Sequence, residues 1–395
     1  MLPEKPLSWG QSDNIIRVLA AYGAARRAEI GADKVFDFTI GSPRIPTPRI
    51  VTDTLMELLE NEDSVPLHDY TAAPGLPGLR KAIAEDLNSR YQANVQAEQV
   101  FVTCGASAGL SAACRALLCE GEEAIVFAPF FGEYRVFVEN AGGKLVSILP
   151  KEDLQPDMEL LKQSISEKTK LVFVNSPNNP SAVILTEKSL QTLAEILTEA
   201  EQRYGHTIYL LSDEPYRELL FDGSQPLCVT HYYDDSIICY SFSKSLSLPG
   251  ERIGYLAVHS KAAEKEQVFA AISGAVRAHG YVNAPAMIQR VVQRCIGLTS
   301  DLSGYKENRD LLYDGLTALG FRCAKPDGAF YLFLKCPEED AMAFSDRARK
   351  YELLLVPSDD FGVPGYVRLA YCVSETTIRN SMPAFKKLAE EYGLQ

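Results

Sequence analysis

From about residue 100 the chain alternates short apolar runs with longer helical ones. Runs at 100–103, 124–127, 144–148, 171–174, 208–212 and 237–240 are rich in β-branched or aromatic residues and read as strands. Most lack strict apolar/polar alternation, the pattern of strands covered on both faces. Between two of them Leu190, Leu193, Ala194 and Leu197 recur at i, i+3, i+4 and i+7 behind Glu187, which predicts a helix with one apolar face. Strands that alternate with such helices are joined by crossovers and run parallel. After about residue 290 two long helical patterns lead into short strands at 329–334, 353–356 and 366–371, and a terminal helix follows. Pro326, Asp327 and Gly328 signal a turn directly before the first of these strands. The expected architecture is α/β: a large domain with a mostly parallel sheet flanked by helices, plus a smaller α+β domain. The expected boundaries are 1–48 for an N-terminal segment joining the small domain, 49–290 for the large domain and 291–395 for the small C-terminal domain.

Composition narrows the partners. The chain has 395 residues, enough for two or three domains at roughly 150 residues each. Lys plus Arg total 39 against 52 Asp plus Glu, a net charge of −13, and no long basic run offsets it. Binding driven by counterion release from nucleic acid or anionic lipid is therefore not expected. Apolar residues at 46% and charged residues at 23% match a folded, water-soluble protein rather than a disordered one. The nine cysteines are odd in number and scattered, with no C-x-x-C or zinc spacing, so no metal site is expected. That usage suits the reducing cytosol. The start, Met-Leu-Pro-Glu-Lys-Pro, lacks the basic and apolar regions of a signal peptide. The longest uncharged runs, 99–114 and 171–186, are interrupted by Gly, Ser, Asn or Pro and are too short to span a bilayer. A cytoplasmic protein with no membrane role is expected.

Candidate chemistry collects where strands end. Ser241-Phe242-Ser243-Lys244 follows a strand expected to be buried, and Pro249-Gly250-Glu251-Arg252 comes soon after. Burial and a nearby cation both disfavour a protonated lysine, which lets Lys244 act as an amine nucleophile near neutral pH. Arg252 would be that cation and would also clamp an anion. Taken alone, a Ser-rich turn with a solvated lysine explains the run equally well. A second strand ends in Ser212-Asp213-Glu214-Pro215-Tyr216. Asp213 could cap the next element, or keep a pyridine nitrogen protonated if a ring lay against it, with Tyr216 donating to the ring's phenolic oxygen. Asn175-Ser176-Pro177-Asn178-Asn179-Pro180 follows another strand, and Asn179 could reach the same oxygen. Gly105, Ala106 and Ser107 open a helix with small residues, which lets backbone amides approach a phosphate. Phe131 could cover one face of a planar ring. Arg368 stands inside the apolar run Tyr366-Val367-Arg368-Leu369-Ala370-Tyr371, where it needs either an internal acid or a ligand carboxylate. Gly41 could bring backbone close to a ligand.

Read together, these motifs resemble the pyridoxal-phosphate-dependent aminotransferases of class I and II, fold type I, from about residue 36 to the last helix. The order is specific: Asn-x-Pro-x-Asn-Pro, Asp-x-x-Tyr, Ser-x-Ser-Lys with Arg252 eight positions after Lys244, then the arginine strand. The resemblance implies that Lys244 carries pyridoxal 5′-phosphate as an internal aldimine and shuttles the substrate's α-proton. It implies that Asp213 pairs with the pyridine nitrogen and that Tyr216 and Asn179 contact the phenolic oxygen. Gly105, Ala106, Ser107, Ser241 and Arg252 would hold the phosphate, and Phe131 would stack on the ring. Gly41, Asn179 and Arg368 would receive the substrate α-carboxylate. Tyr70 matches a tyrosine that reaches the phosphate of the neighbouring subunit, which implies a homodimer with shared sites. Two positions depart from the common pattern. Ser181-Ala182 replaces Thr-Gly, and Phe131 stands where aspartate-type members often carry tryptophan, so that the ring stacks but cannot donate a hydrogen bond. The implied reaction moves an amino group between an L-amino acid and a 2-oxo acid through a pyridoxamine intermediate. A carbon-sulfur β-lyase of the same fold is the alternative, because it would use the same cofactor residues. For a second substrate carboxylate, Arg277 and Arg44 are the candidate cations.

Overall fold

All six apolar runs between residues 100 and 240 are strands of one seven-stranded sheet in the computed structural model, which describes residues 2–11 and 15–394. The strands are β1 (Val100–Thr103), β2 (Glu123–Phe127), β3 (Lys144–Ile148), β4 (Thr169–Asn175), β5 (Tyr209–Asp213), β6 (Ser236–Ser241) and β7 (Gly254–Val258). Their order across the sheet is β1-β7-β6-β5-β4-β2-β3. Every pairing is parallel except the two made by β7, which runs antiparallel to both neighbours. The sequence pattern did not single out β7. It enters the sheet from β6 through a short loop with no crossover helix, so it falls outside the strand–helix alternation that marks the other six.

Both faces of the sheet are apolar because successive residues of each strand point to opposite sides. Val172, Leu210 and Ile238 pack on one face with Leu190, Leu193 and Leu197 of the helix Glu187–Tyr204. Leu171, Leu211 and Cys239 pack on the other with Leu110 and Ala113 of the helix Gly105–Leu117 and with Ile272 of the helix Lys265–Ala278. The helix Glu187–Tyr204 starts where Thr186 accepts a side-chain cap from the Ser189 amide at 3.0 Å. With crossovers closing both faces, the open edge of the large sheet is its C-terminal end, where Asn175, Asp213 and Ser241 terminate β4, β5 and β6.

The C-terminal part is built on a four-stranded antiparallel sheet of β8 (Arg322–Cys323), β9 (Tyr331–Lys335), β10 (Val356–Pro357) and β11 (Tyr366–Ala370), in the order β10-β11-β9-β8. Helices Ser303–Ala318, Ala341–Arg349 and Glu375–Glu391 accompany it. Of the two helical patterns seen before it, the first is short, Ala286–Arg294. The strand expected from residue 329 begins at Tyr331, because Ala329 takes a left-handed φ of 54° that no strand accommodates. The expected strand at 353–356 is divided between two sheets. Leu353–Leu354 pairs in parallel with Phe36–Asp37 from the N-terminal segment, whereas Val356 joins the antiparallel sheet opposite Arg368. Ion pairs Arg26–Glu352 at 2.7 Å and Arg27–Asp37 at 2.8 Å fasten the helix Ile15–Ile30 beside that junction. All nine cysteines are free thiols. Among the described residues, no helix is long and apolar enough to cross a membrane.

Candidate active site

The ends of β4, β5 and β6 are tied to one another before any ligand is considered. Asn175 donates from Nδ2 to the backbone oxygen of Asp213 at 2.7 Å and accepts from the Asn179 amide at 2.7 Å, so one side chain locks the Asn-Pro turn onto the next strand. Asn178 Oδ1 accepts from the Ser181 amide at 3.0 Å, and Ala182 follows at a φ of 60°. That left-handed conformation accounts for glycine being the common residue there, and alanine adopts it at a cost of about 1 kcal/mol or more.

Past β6, the Ser241 hydroxyl caps the turn Phe242–Ser245 by accepting from the Ser243 amide, which projects Lys244 inward. Lys244 Nζ donates to the Gly41 carbonyl at 2.7 Å and lies 5.3 Å from the centre of the Phe330 ring. Burial pushes its pKa down to about 8, and the guanidinium groups of Arg368 and Arg252 act in the same direction against the opposing Cys372. About a fifth of this amine is therefore neutral near pH ~7.4, against about a thousandth for an ordinary lysine. Arg252, at a left-handed φ of 50°, turns its guanidinium toward the start of the helix Gly105–Leu117. A Cβ on Gly105 would sit 2.8 Å from that guanidinium, so only glycine lets the arginine pack directly against the helix start. Helix amides and an arginine side by side at the same cavity make an anion cup.

Asp213 is buried, and the two oxygens of its carboxyl are not equivalent. Oδ2 accepts from the Tyr134 hydroxyl at 2.6 Å, whereas Oδ1 has no partner. Burial raises the carboxyl pKa to about 7; the Tyr134 hydrogen bond opposes the rise and the Glu214 charge adds to it. A buried acceptor left open is costly unless a donor arrives. Arg368 is buried as well. Its donors reach Asn179 Oδ1 at 3.1 Å and the Thr39 carbonyl at 2.7 Å, its Nε is unpartnered, and its plane lies 4.8 Å from the Tyr331 ring centre. These acceptors are neutral oxygens, so the positive charge is solvated by dipoles and keeps its affinity for an anion. Tyr216 and Tyr331 share a hydroxyl–hydroxyl hydrogen bond of 2.8 Å. A Cβ on Gly41 would collide with the Tyr331 hydroxyl.

One cavity of about 290 Å³ is lined by Gly41, Ala106, Ser107, Phe131, Asn179, Asp213, Tyr216, Ser241, Lys244, Arg252 and Arg368. Gly105 lies just outside it, against Arg252. Tyr70 is apart from it and 91% exposed. Sequence reasoning missed Tyr134 and Tyr331. Tyr134 stands one helical turn after Phe131, and Tyr331 sits in an aromatic-rich strand start, so both read as core. Only the tertiary contact with Asp213 in one case and Tyr216 in the other distinguishes them.

The sequence profile of the family "Aminotransferase class I and II" matches residues 33–385. A probable aspartate aminotransferase of Methanocaldococcus jannaschii is 30% identical over 363 residues, which cover 89% of this chain and 92% of that protein. The aspartate aminotransferase of Thermotoga maritima is 31% identical over 87% of this chain and 88% of its own. Among solved structures, an amino transferase from Eubacterium rectale superposes with a TM-score of 0.97 at 45% identity over 99% of each chain. The aspartate aminotransferase of Thermus thermophilus with maleate superposes with a TM-score of 0.86 at 26% identity, over 98% of this chain and 99% of that one.

Proposed function

This chain belongs to the class I and II aminotransferases, enzymes that move an amino group between an amino acid and a 2-oxo acid, and from that premise we propose that its cofactor is pyridoxal 5′-phosphate held at Lys244. The residues fit that group. Asp213 Oδ1 is a buried acceptor lacking the donor that a protonated ring nitrogen would supply. Arg252 and the start of the helix Gly105–Leu117, packed side by side, suit a phosphate in the cavity that Ala106, Ser107 and Ser241 also line. Tyr216 and Asn179 are available to the ring's phenolic oxygen, and Phe131 to its face. When bound, the cofactor supplies an electron sink for the bond that loses its proton.

The chain supplies position and protonation. Arg368 fixes the amino acid's α-carboxylate by its donor fork, with Asn179 and the Gly41 backbone beside it. Lys244 Nζ, its pKa lowered by burial and two cations, takes the proton from the α-carbon and later returns one. Asp213 keeps its ring partner protonated throughout. Tyr331 steadies Tyr216 through their shared hydrogen bond. Most support comes from a single observation: a lysine of lowered pKa, an orphan carboxylate oxygen and a buried arginine without an acidic partner meet in one cavity. The purified, cofactor-saturated protein is expected to show a visible absorption band that moves on adding an amino acid. Arg368→Ala should leave the band in place but raise the amino-acid concentration that moves it by about 10²-fold, the scale of a lost charge-assisted pair. A colourless protein, or an Arg368→Ala variant with unchanged concentration dependence, would reject the assignment.

We also propose a homodimer in which Tyr70 reaches the partner's phosphate. Tyr70 is 91% exposed, and Met56, Leu59 and Val65 just before it are apolar and more than half exposed. Light scattering should give twice the chain mass, and Val65→Asp should shift the protein toward monomer with loss of activity; a monomeric, fully active native protein would dismiss the shared site. The free thiols agree with a cytosolic setting.

A further inference from the structure

We propose that Tyr331 is a positioning residue of directed polarity: its hydroxyl donates to Tyr216 and thereby commits the single Tyr216 proton to the cofactor's phenolic oxygen. The inference rests on the reading of Tyr216 as the donor to that oxygen. A proton count carries it. The 2.8 Å separation of the two hydroxyls suits a bond in either direction. Each hydroxyl holds one proton and can also accept. Among the described residues, neither has another hydrogen-bonding partner. With the Tyr216 proton given to the phenolic oxygen, the proton in the shared bond therefore comes from Tyr331.

The surroundings hold Tyr331 to that task. In β9 it lies opposite Ala370 of β11, on the same face as Arg368 two residues away, and the Arg368 guanidinium carbon is 4.8 Å from its ring centre. The Tyr216 ring meets the Tyr331 ring edge-on at 5.7 Å. On the other side the Gly41 backbone closes on the Tyr331 hydroxyl so tightly that a Cβ there would collide with it. Tyr331 is 2% exposed and Tyr216 3% in a single chain, so a partner subunit finds almost no surface of either residue left to contact. The charged and titratable groups acting on the two hydroxyls are Arg368, Asp213 and Cys372; those acting on Lys244 are Cys372, Arg368 and Arg252. Burial pushes Tyr331 up to about 12 and Tyr216 well above its ordinary value, so both stay protonated and able to donate. Arg368 opposes the rise in both, which polarises the O–H bonds further.

A donor at the phenolic oxygen favours the form of the bound cofactor that has lost a proton, because that oxygen then carries more negative charge. A hydrogen bond accepted by Tyr216 strengthens the one it donates by roughly 10–30%. Tyr331→Phe keeps the ring against Arg368 and removes only the hydroxyl. Spectrophotometric titration of the cofactor-loaded protein, with no amino acid present, should find the midpoint of the visible band raised by about one pH unit in Tyr216→Phe and by about 0.2–0.5 unit in Tyr331→Phe. The double variant should match Tyr216→Phe, since Tyr331 acts through that hydroxyl. An unmoved midpoint in Tyr331→Phe beside a raised one in Tyr216→Phe would overturn this inference and leave the reading of Tyr216 standing. Two shifts that add in the double variant would also overturn it, by making Tyr331 an independent contact. If neither single variant moves the midpoint, the reading of Tyr216 falls and this inference with it. A Tyr331→Phe variant that needs as much extra amino acid as Arg368→Ala, with its midpoint unmoved, would assign the hydroxyl to the substrate carboxylate instead.

Discussion

Borohydride treatment of the cofactor-loaded protein should leave the cofactor's mass on one peptide, the one containing Lys244, and Lys244→Ala should slow amino transfer by at least about 10⁴-fold. The magnitude follows from the two duties placed on one nitrogen. Lys244 Nζ is both the amine that bonds the aldehyde and the base that moves the α-proton, so its removal takes away a nucleophile and a positioned proton carrier together. Position is as important as basicity. The amine is held at 2.7 Å from the Gly41 carbonyl, and its pKa near 8 comes from burial with Arg368 and Arg252 alongside. Lys244→Arg keeps the charge and most of the volume, yet a guanidinium stays protonated and should be nearly as slow as alanine. Mass on another lysine, or appreciable turnover by either variant with native-like melting, would remove Lys244 from the chemistry.

Asp213→Asn should act in opposite directions on activity and on stability. With the cofactor bound, losing the carboxylate removes a preorganised charge from the ring nitrogen, and turnover should fall by about 10²- to 10³-fold. Without the cofactor the carboxylate is a burden. Its folded-state pKa is about 7, against an ordinary value of ~3.9 for the unfolded chain, so between these values the folded protein holds a proton that the unfolded chain has released. Stability from this group is complete below pH ~4 and declines as the pH rises through about 7. Asparagine carries no such penalty. The cofactor-free variant should therefore match the native protein near pH 4 and melt higher at pH 8, by an amount of order 1–4 kcal/mol. Native-like turnover, or a stability difference that does not grow with pH, would contradict the role given to Asp213.

The parts of the fold legible from sequence were those in which burial leaves a local trace. Strands β1 to β6 are apolar on both faces, and Leu190, Leu193 and Leu197 mark one helix stripe, so local pattern sufficed. Strand β7 is equally buried, but its antiparallel place beside β6 is a property of the sheet and not of its own residues. The division at 353–356 depends on where Phe36–Asp37 docks, more than 300 residues earlier in the chain. For the site, ordered motifs at strand ends pointed to the residues that now line one cavity. Tyr134 and Tyr331 left no such trace, because each acquires its meaning from a partner 79 or 115 residues away.

Two carbonyls of the N-terminal segment, those of Thr39 and Gly41, hold Arg368 of the small sheet and Lys244 of the large one. Both groups are thus gauged from a single short stretch of backbone. If the two sheets drift relative to each other, each side chain is still referred to the same datum, and errors that would add between the sheets partly cancel. Shortening or lengthening the stretch by one residue would pass the full step, about 3.4 Å, to one side of the gauge. Since misplacement by about 1 Å can cost 10²-fold in rate, tolerance to indels should be lowest here, in a stretch that forms neither helix nor strand.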